Sequence, residues 1–261
     1  MQAFTNKQIK DCYLVFVFLV SLIARIVKLI VDPILLRDSI YYLQCAEIWH
    51  ATGNYIETTK DGIIPPLPIF FVKELMRYDF SSEIAGRSFS LFFSALIPVV
   101  GTNITYRIFK KKNIAFIASL LLIFHPTLVS YSIQPLRENY YLLFLGLAID
   151  TAIKGIKLCR EKDFLYCGIF VALASYSRYE SLEFLLIIPA TLLWITYKKF
   201  FSTWKCIRSF IYFFCGFTFL LFTLLHICNC DFSFIVKTIQ YKDRLINSYE
   251  RSFYNDTKMY Q

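Results

Sequence analysis

Residues 12–31 read CYLVFVFLVSLIARIVKLIV, an apolar stretch whose only charged side chains are Arg25 and Lys28. A helix of this length rises about 30 Å, which matches the hydrocarbon core of a bilayer. Two lysines precede the stretch, and charged residues and a proline follow it. A secretory signal peptide has a shorter apolar core and a small-residue cleavage site. The stretch therefore predicts an uncleaved first membrane span.

Apolar residues recur at high density along the rest of the chain. They make up 57% of the 261 residues, and the mean hydropathy is +0.51, more than a soluble domain of this size can bury. We therefore predict an all-α, polytopic membrane protein with about seven transmembrane helices. Their predicted bounds are about Cys12 to Val31, Gly86 to Phe109, Ile114 to Tyr131, Tyr140 to Leu158, Phe164 to Ser177, Leu182 to Tyr197 and Ile207 to Cys228.

Basic residues concentrate in alternate loops of this seven-span map. The loops after spans two, four and six are basic and lie on the same side as the N-terminal lysines, whereas the short opposite loops carry only Arg137 and Arg178. Lysine and arginine favour cytoplasmic loops, so we predict a cytoplasmic N-terminus. The protein itself is predicted to lie in the plasma membrane or the endoplasmic reticulum membrane. The same distribution explains the net charge of +9 without nucleic-acid binding. The basic loop residues are Arg107, Lys110, Lys111, Lys112, Lys154, Lys157, Arg160, Lys162, Lys198, Lys199, Lys205 and Arg208.

The first outer loop, about residues 32–85, is predicted to carry two amphipathic helices that lie at the membrane surface. Apolar residues at helical spacing define the first helix over Arg37 to His50, and Gly53 follows as a stop signal. The second helix opens at Pro65–Pro66 and presents an apolar face interleaved with charges. The loop is therefore expected to be structured.

The predicted domain organisation is simple. Ser81 or Ser82 supplies an N-terminal cap for the second span. Residues 1–229 are expected to form one transmembrane module, and residues 230–261 a short extracytoplasmic tail that is too small for a folded acceptor-binding domain.

Five charged residues are predicted at the outer ends of the spans. Asp38 follows span one, Arg137 and Glu138 precede span four, and Arg178 and Glu180 lie between spans five and six. Charges at membrane depth are costly, so a cluster of them marks a candidate site. A carboxylate can accept the proton of an attacking hydroxyl and favour an oxocarbenium-like transition state, and arginine can stabilise a leaving phosphate. These residue types suit sugar transfer from a lipid phosphate.

Simpler roles stay open for the same residues. Asp38 can cap the surface helix that follows it, and Glu138 can stabilise span four through the helix dipole. Arg137 and Arg178 can anchor the protein at lipid headgroups.

Several segments between about Val15 and Leu193 carry a family pattern. The chain resembles the GT-C glycosyltransferases that use polyprenyl-phosphate sugars, a group that includes the protein O-mannosyltransferases and the lipid A aminoarabinose transferases. The matching segments are RDSIYY at Arg37–Tyr42, PPL at Pro65–Leu67 with AGR at Ala85–Arg87, the stretch His125–Ser132 followed by LRE at Leu136–Glu138, and the stretch Gly168–Ala174 followed by SRYE at Ser177–Glu180.

The resemblance implies a glycosyltransferase that moves a sugar from a polyprenyl-phosphate donor to a lipid, glycan or protein acceptor at the extracytoplasmic face. It implies Asp38 as the catalytic base, Glu138 as the second-loop acid that organises the site, and Arg137 and Arg178 as ligands of the donor phosphate. Some members use a divalent metal ion, but Ser39 stands where many have glutamate, which leaves metal dependence open. The histidines and cysteines show no spacing typical of a metal site, and we expect none.

Two other functional classes are compatible with parts of the sequence. Members of the family are commonly longer, so the chain is alternatively a truncated or partner-dependent module that needs a second membrane subunit for activity. A polytopic transporter is less favoured, because its charges would lie near the bilayer midplane or in broken, repeated helices.

Two expectations concern single side chains within the spans. Arg25 and Lys28 lie late in span one and are expected to extend towards the lipid headgroups. Asp150 precedes Lys154 by four residues, which favours a local ion pair along one helix.

Overall fold

The computed structural model describes residues 2–55 and 65–227, with side chains from Cys12 onward. Every regular element in these ranges is helical, so the all-α prediction is confirmed. The predicted tail, residues 230–261, lies outside the described residues. The α-helices in these ranges are α1 (Gln2–Val31), α2 (Arg37–Thr52), α3 (Pro66–Met76), α4 (Ser82–Phe109), α5 (Lys112–Ile123), α6 (Pro126–Ser132), α7 (Arg137–Leu158), α8 (Asp163–Ser177), α9 (Phe184–Tyr197) and α10 (Thr203–Ile227), and a 3₁₀ helix (Tyr179–Glu183) joins α8 to α9.

Several of these helices can cross a membrane. Four segments of the described chain are long and apolar enough, namely Cys12–Val31, Ser82–Phe109, Tyr179–Tyr197 and Thr203–Ile227. The pair α5 and α6 forms a fifth if it counts as one span, bent by 53°. The bend follows from Pro126, because the residue before a proline is disfavoured in the helical region. The protein is therefore an integral membrane protein. Helices α7 and α8 coincide with the remaining predicted spans, and the count of seven stays a prediction.

The two helices of the first outer loop are confirmed, together with the residues that begin and end them. Gly53 ends α2 in the left-handed conformation, with φ 72°, and its N–H donates to Trp49 O. Pro65 precedes α3, and Pro66 occupies its first turn, where a missing N–H costs nothing. The Ser81 hydroxyl accepts from Ile84 N and caps α4.

Helices α2 and α3 pack on the ends of the spanning helices and form what we call the platform, residues 37–52 and 66–76. Trp49 of α2 and Ile69 of α3 are buried in one apolar cluster with Tyr140 of α7 and Ala174 of α8. The Phe71 ring stacks on Tyr140 at a centroid distance of 5.9 Å. The platform is thus fixed to the bundle over the ends of α7 and α8.

Helix α8 approaches α10 closely. A Cβ atom added to Gly168 would lie 2.0 Å from Phe213 O, and one added to Gly216 would lie 2.1 Å from Leu165 O. The two backbones are therefore in direct contact, as small residues permit in membrane helix pairs. This contact fixes the position of α8, whose C-terminal end carries Arg178.

The expectation that Arg25 extends to the headgroups is wrong. Its side chain is 0% exposed. It donates hydrogen bonds to Ser21 Oγ (2.6 Å) in the same helix and to Ser94 Oγ (3.2 Å) of α4. Lys28 forms an ion pair with Asp32, at 2.7 Å.

The predicted pair of Asp150 with Lys154 is also wrong. Asp150 Oδ1 instead lies 2.6 Å from Arg107 Nε, between α7 and α4. Lys154 Nζ lies 2.7 Å from Asp163 Oδ1, at the start of α8. Each carboxylate pairs with a base on another helix, and these contacts tie together the ends of α4, α7 and α8 that are remote from the platform.

Candidate functional site

Asp38 lies in the first turn of α2 but does not cap it. The N-cap is Leu36, whose backbone is extended and whose side chain offers no acceptor. The Asp38 side chain is exposed, and it makes no hydrogen bond or ion pair with any residue in the ranges 2–55 and 65–227. Its carboxylate is therefore free to act on another molecule.

Arg137 and Glu138 open α7, directly after the N-cap Leu136. Glu138 Oε1 lies 3.5 Å from Arg137 Nε and 3.6 Å from Arg178 Nη1. Its position in the first turn also suits the helix dipole. Glu138 can therefore stabilise the start of α7 through the helix dipole and also hold the two arginines.

Arg178 follows the last residue of α8 with an extended backbone. Its guanidinium donates to both carboxylate oxygens of Glu180, at 3.2 and 3.4 Å, and lies 5.4 Å from the ring centroid of Tyr141. Burial lowers the pKa of Arg178, but Glu180 and Glu138 together raise it above its ordinary value. Arg178 is therefore a permanently charged group held by several contacts.

Tyr42 lies on α2, one helical turn after Asp38. Burial raises the pKa of its phenol to about 12. Among the smaller effects on that pKa, the charges of Arg137 and Arg178 lower it, and those of Glu138 and Asp38 raise it. Arg137, Glu138 and Arg178 are in mutual contact through the Glu138 carboxylate. Asp38 is related to them here through its place one turn before Tyr42 on α2 and its effect on the pKa of that phenol.

The region from α3 to the end of α10 matches a known family. The family model for dolichyl-phosphate-mannose-protein mannosyltransferases covers residues 65–228, more than half of the chain. The chain belongs to this family. The comparison with curated proteins and that with solved structures gave no match. As a member of the mannosyltransferase family, the protein is a membrane glycosyltransferase of the GT-C type.

The family match covers three of the four site residues. It includes Arg137, Glu138 and Arg178, but it begins after Asp38. The place of Asp38 rests on its own RDSIYY motif and on its position beside Tyr42.

These residues do not fit a metal centre. No three side chains of histidine, cysteine, aspartate or glutamate come together to hold an ion within the described ranges. Glu138 lies between two guanidinium groups, which would repel a cation at the same place. We therefore derive no metal-dependent step.

The sequence assigned no role to two tyrosines beside the cluster, and it placed Glu180 among the outer charges without naming its partner. Tyr42 lies four residues after Asp38, and Tyr141 lies four residues after Arg137, so each pair shares a helix face. That spacing could have identified both tyrosines once the helices were drawn. Glu180, two residues after Arg178, pairs with it across a tight turn, a geometry that helical spacing does not predict.

Proposed function

We propose that this member of the mannosyltransferase family moves a sugar, mannose by the name of the family, from a polyprenyl phosphate to a lipid, glycan or protein acceptor at the extracytoplasmic face. The observation that carries the proposal is the contact of Glu138 with both Arg137 (3.5 Å) and Arg178 (3.6 Å), with the exposed Asp38 at the start of α2. The Asp38 carboxylate is unpaired among the described residues, and the guanidinium groups of Arg137 and Arg178 lie close together. Sugar transfer from a lipid phosphate requires a free carboxylate as general base and cations that bind the phosphate.

Asp38 serves as the general base. The acceptor hydroxyl loses a proton as its oxygen attacks the anomeric carbon, and an unpaired carboxylate within hydrogen-bond reach can accept that proton. Asp38 is exposed and unpaired among the described residues, whereas Glu138 lies between two arginines. The two carboxylates therefore have different tasks.

Arg137 and Arg178 bind the donor phosphate. The bond from the anomeric carbon to the phosphate oxygen breaks, and the phosphate leaves with additional negative charge, which guanidinium groups stabilise. Arg178 is held by Glu180 at 3.2 Å, while Arg137 has only its 3.5 Å contact with Glu138 among the described residues. Arg137 is thus the more available donor, and Arg178 the more fixed one.

Glu138 orients the two arginines. Its Oε1 atom contacts both, at 3.5 and 3.6 Å, and both distances exceed those of a strong charge-assisted hydrogen bond. A phosphate can therefore share these guanidinium groups without first breaking a tight pair. In this proposal Glu138 holds the two arginines and is not a ligand of a metal ion.

The location of the cluster suits a lipid-linked donor. Arg137 and Glu138 lie at the start of α7, Arg178 follows the end of α8, and Asp38 lies at the start of α2 within the platform. None of the four lies along the middle of a span. A polyprenyl phosphate keeps its chain in the bilayer and its phosphate at the interface. The charged residues would then contact the phosphate and the sugar at the membrane–water interface.

The test replaces Asp38 by Asn, which keeps the size of the side chain but removes the base. We expect the transfer of labelled mannose from dolichyl-phosphate mannose to membrane acceptors to fall about 10²-fold or more. The matched control is Asp79→Asn, which alters an exposed acid of the same loop outside the cluster. Asp79 has φ 63°, and asparagine tolerates that conformation.

Equal transfer rates for the wild-type protein and Asp38→Asn would rule out Asp38 as the base. A similar loss in Asp79→Asn would show that the assay responds to loop charge in general, and it would also count against the proposal.

A further inference from the structure

Gln134 lies in the turn between α6 and α7, three residues before Arg137, and only 4% of it is exposed. Both the oxygen and the nitrogen of its side-chain amide form hydrogen bonds. The Oε1 atom accepts from Leu36 N and from Ser39 Oγ, each at 2.9 Å, and the Nε2 atom donates to Ile34 O at 2.7 Å. One buried side chain thus makes three hydrogen bonds to the segment at the start of α2.

These partners flank Asp38 on both sides. Leu36 is the N-cap of α2, two residues before Asp38, and Ser39 follows it directly. Leucine provides no side-chain cap for the helix, so Gln134 supplies from another part of the chain the anchoring that a local cap would give. The direction of the first turn of α2 therefore depends on Gln134.

Gln134 is itself fixed to the helix that carries the phosphate-binding residues. Its carbonyl oxygen accepts from Leu136 N at 2.7 Å and from Asn139 Nδ2 at 3.0 Å. Asn139 is 2% exposed and lies in the first turn of α7, next to Glu138. The backbone of Gln134 is thus bound to α7, and its side chain is bound to α2.

We propose that Gln134 is a positioning residue that sets where the Asp38 carboxylate lies relative to Arg137 and Glu138. It joins the element that carries the base to the element that carries the phosphate ligands, through bonds that solvent does not reach. This inference rests on the proposed function, since it assigns the contact a purpose in transfer. It concerns a residue that touches neither donor nor acceptor.

A second contact explains why loss of Gln134 would move α2 without releasing the whole loop. Arg87 Nη2 donates to Pro33 O at 2.5 Å, and Arg87 Nε lies 2.8 Å from Glu83 Oε1. The linker between α1 and α2 therefore stays attached to α4 at Pro33. Beyond Pro33, the Gln134 amide holds the linker at Ile34 and Leu36.

The test measures kcat and KM for dolichyl-phosphate mannose with the full-length chain carrying Gln134→Ala. We expect kcat to fall about ten- to a hundredfold, the order expected when a reacting group is displaced by about 1 Å. We expect the KM for the donor to change less than about threefold, because the arginines are not moved. In the Asp38→Asn background, Gln134→Ala should lower kcat no further, because the two changes act through the same group.

The control is Thr102→Val, which removes a buried hydrogen-bonding group from α4, outside the contacts of Gln134. Thr102 is 2% exposed and bonds only to Pro98 O within its own helix. Its kcat should stay within about twofold of wild type. Should Gln134→Ala fold poorly, Ser39→Ala removes a single bond to the same amide and should lower kcat about two- to tenfold.

Amide hydrogen exchange gives a readout that does not depend on transfer. Exchange over residues 36–42 should be faster in Gln134→Ala, while exchange along α4 stays unchanged. Unchanged exchange over residues 36–42 overturns the inference whatever the activity. A loss of kcat that persists in the Asp38→Asn background, or a rise in KM of more than tenfold, overturns it as well. A fully active Asp38→Asn protein instead overturns the proposed function.

Discussion

Tyr42 can donate a hydrogen bond, but it cannot act as a base at ordinary pH. Its phenol is half-buried beside Asp38 and Glu138, and its pKa of about 12 keeps it protonated wherever the enzyme is assayed. A protonated phenol among two acids and two arginines offers one donor to a substrate oxygen. At the scale of the residue, the proposed mechanism would therefore use Tyr42 as a hydrogen-bond donor that orients the substrate.

This assignment predicts a pH dependence. Because Tyr42 stays neutral, the ratio of transfer rates between the wild-type protein and Tyr42→Phe should be constant from pH 6 to about pH 9. The folded-state pKa lies above the ordinary value of about 10, so the stability linked to Tyr42 is present below that pH and is lost as pH rises towards 12. Thermal unfolding from pH 9 to 12 should show wild type losing stability relative to Tyr42→Phe. A rate ratio that changes tenfold per pH unit below pH 9 would contradict the assignment.

The partners of charged residues are where prediction from sequence was weakest. The sequence predicts which acids and bases lie at the ends of spans, and Arg137, Glu138 and Arg178 do lie in contact. It did not predict that Asp150 pairs with Arg107 rather than with Lys154. A pair along one helix contributes only about 0.2–0.5 kcal/mol, so a better placed base on a neighbouring helix readily replaces it.

At the scale of the element, helix boundaries were predictable and packing was not. Gly53, Pro65 and Ser81 act through their own backbone or nearest turn, so the residues themselves mark the start or end of a helix. The platform depends on contacts such as Phe71 with Tyr140, which join residues far apart in sequence. Nothing in either local stretch specifies its partner.

The contact between α8 and α10 gives a prediction about single elements. In Gly168→Ala the new methyl group would meet Phe213 O, a backbone atom that cannot move without its helix. We expect a loss of stability of about 1–3 kcal/mol or more, seen as a lower melting temperature in detergent. Gly216→Ala should behave alike, because its Cβ would meet Leu165 O.

Gly146→Ala is the matched control within a neighbouring helix. Its Cβ would lie 3.1 Å from a methyl group of Val100, a side-chain atom that can shift by a small amount. Alanine also favours the helix by up to about 1 kcal/mol over glycine, so the melting temperature should change little. If all three variants melt together, close backbone contact is not what makes Gly168 and Gly216 important.

At the scale of the whole molecule, α4 runs from the end of the protein that carries the platform to the end that carries the basic loops. Its 28 residues rise about 42 Å, more than the hydrocarbon core of about 30 Å. The end near Ser81 adjoins the platform. The far end carries Arg107, where Lys157 Nζ donates to Arg107 O and Ile108 O, so the basic loops after α4 and α7 lie together. The positive-inside rule would place this basic end in the cytoplasm.

Cysteine labelling tests that orientation and the side on which the proposed chemistry occurs. Cys159 is exposed at the basic end, directly after α7, and Asp79 is exposed beside the start of α4. In a background that lacks the other seven cysteines, Cys159 should react with a membrane-impermeant maleimide only after the cells are permeabilised. In a cysteine-free background, Asp79→Cys should react in intact cells if the protein is in the plasma membrane, or in the lumen of sealed microsomes only after they are opened. Labelling of both sites from one side would contradict the topology. The reverse pattern would place the platform and its charged cluster in the cytoplasm, where the proposed extracytoplasmic transfer could not occur.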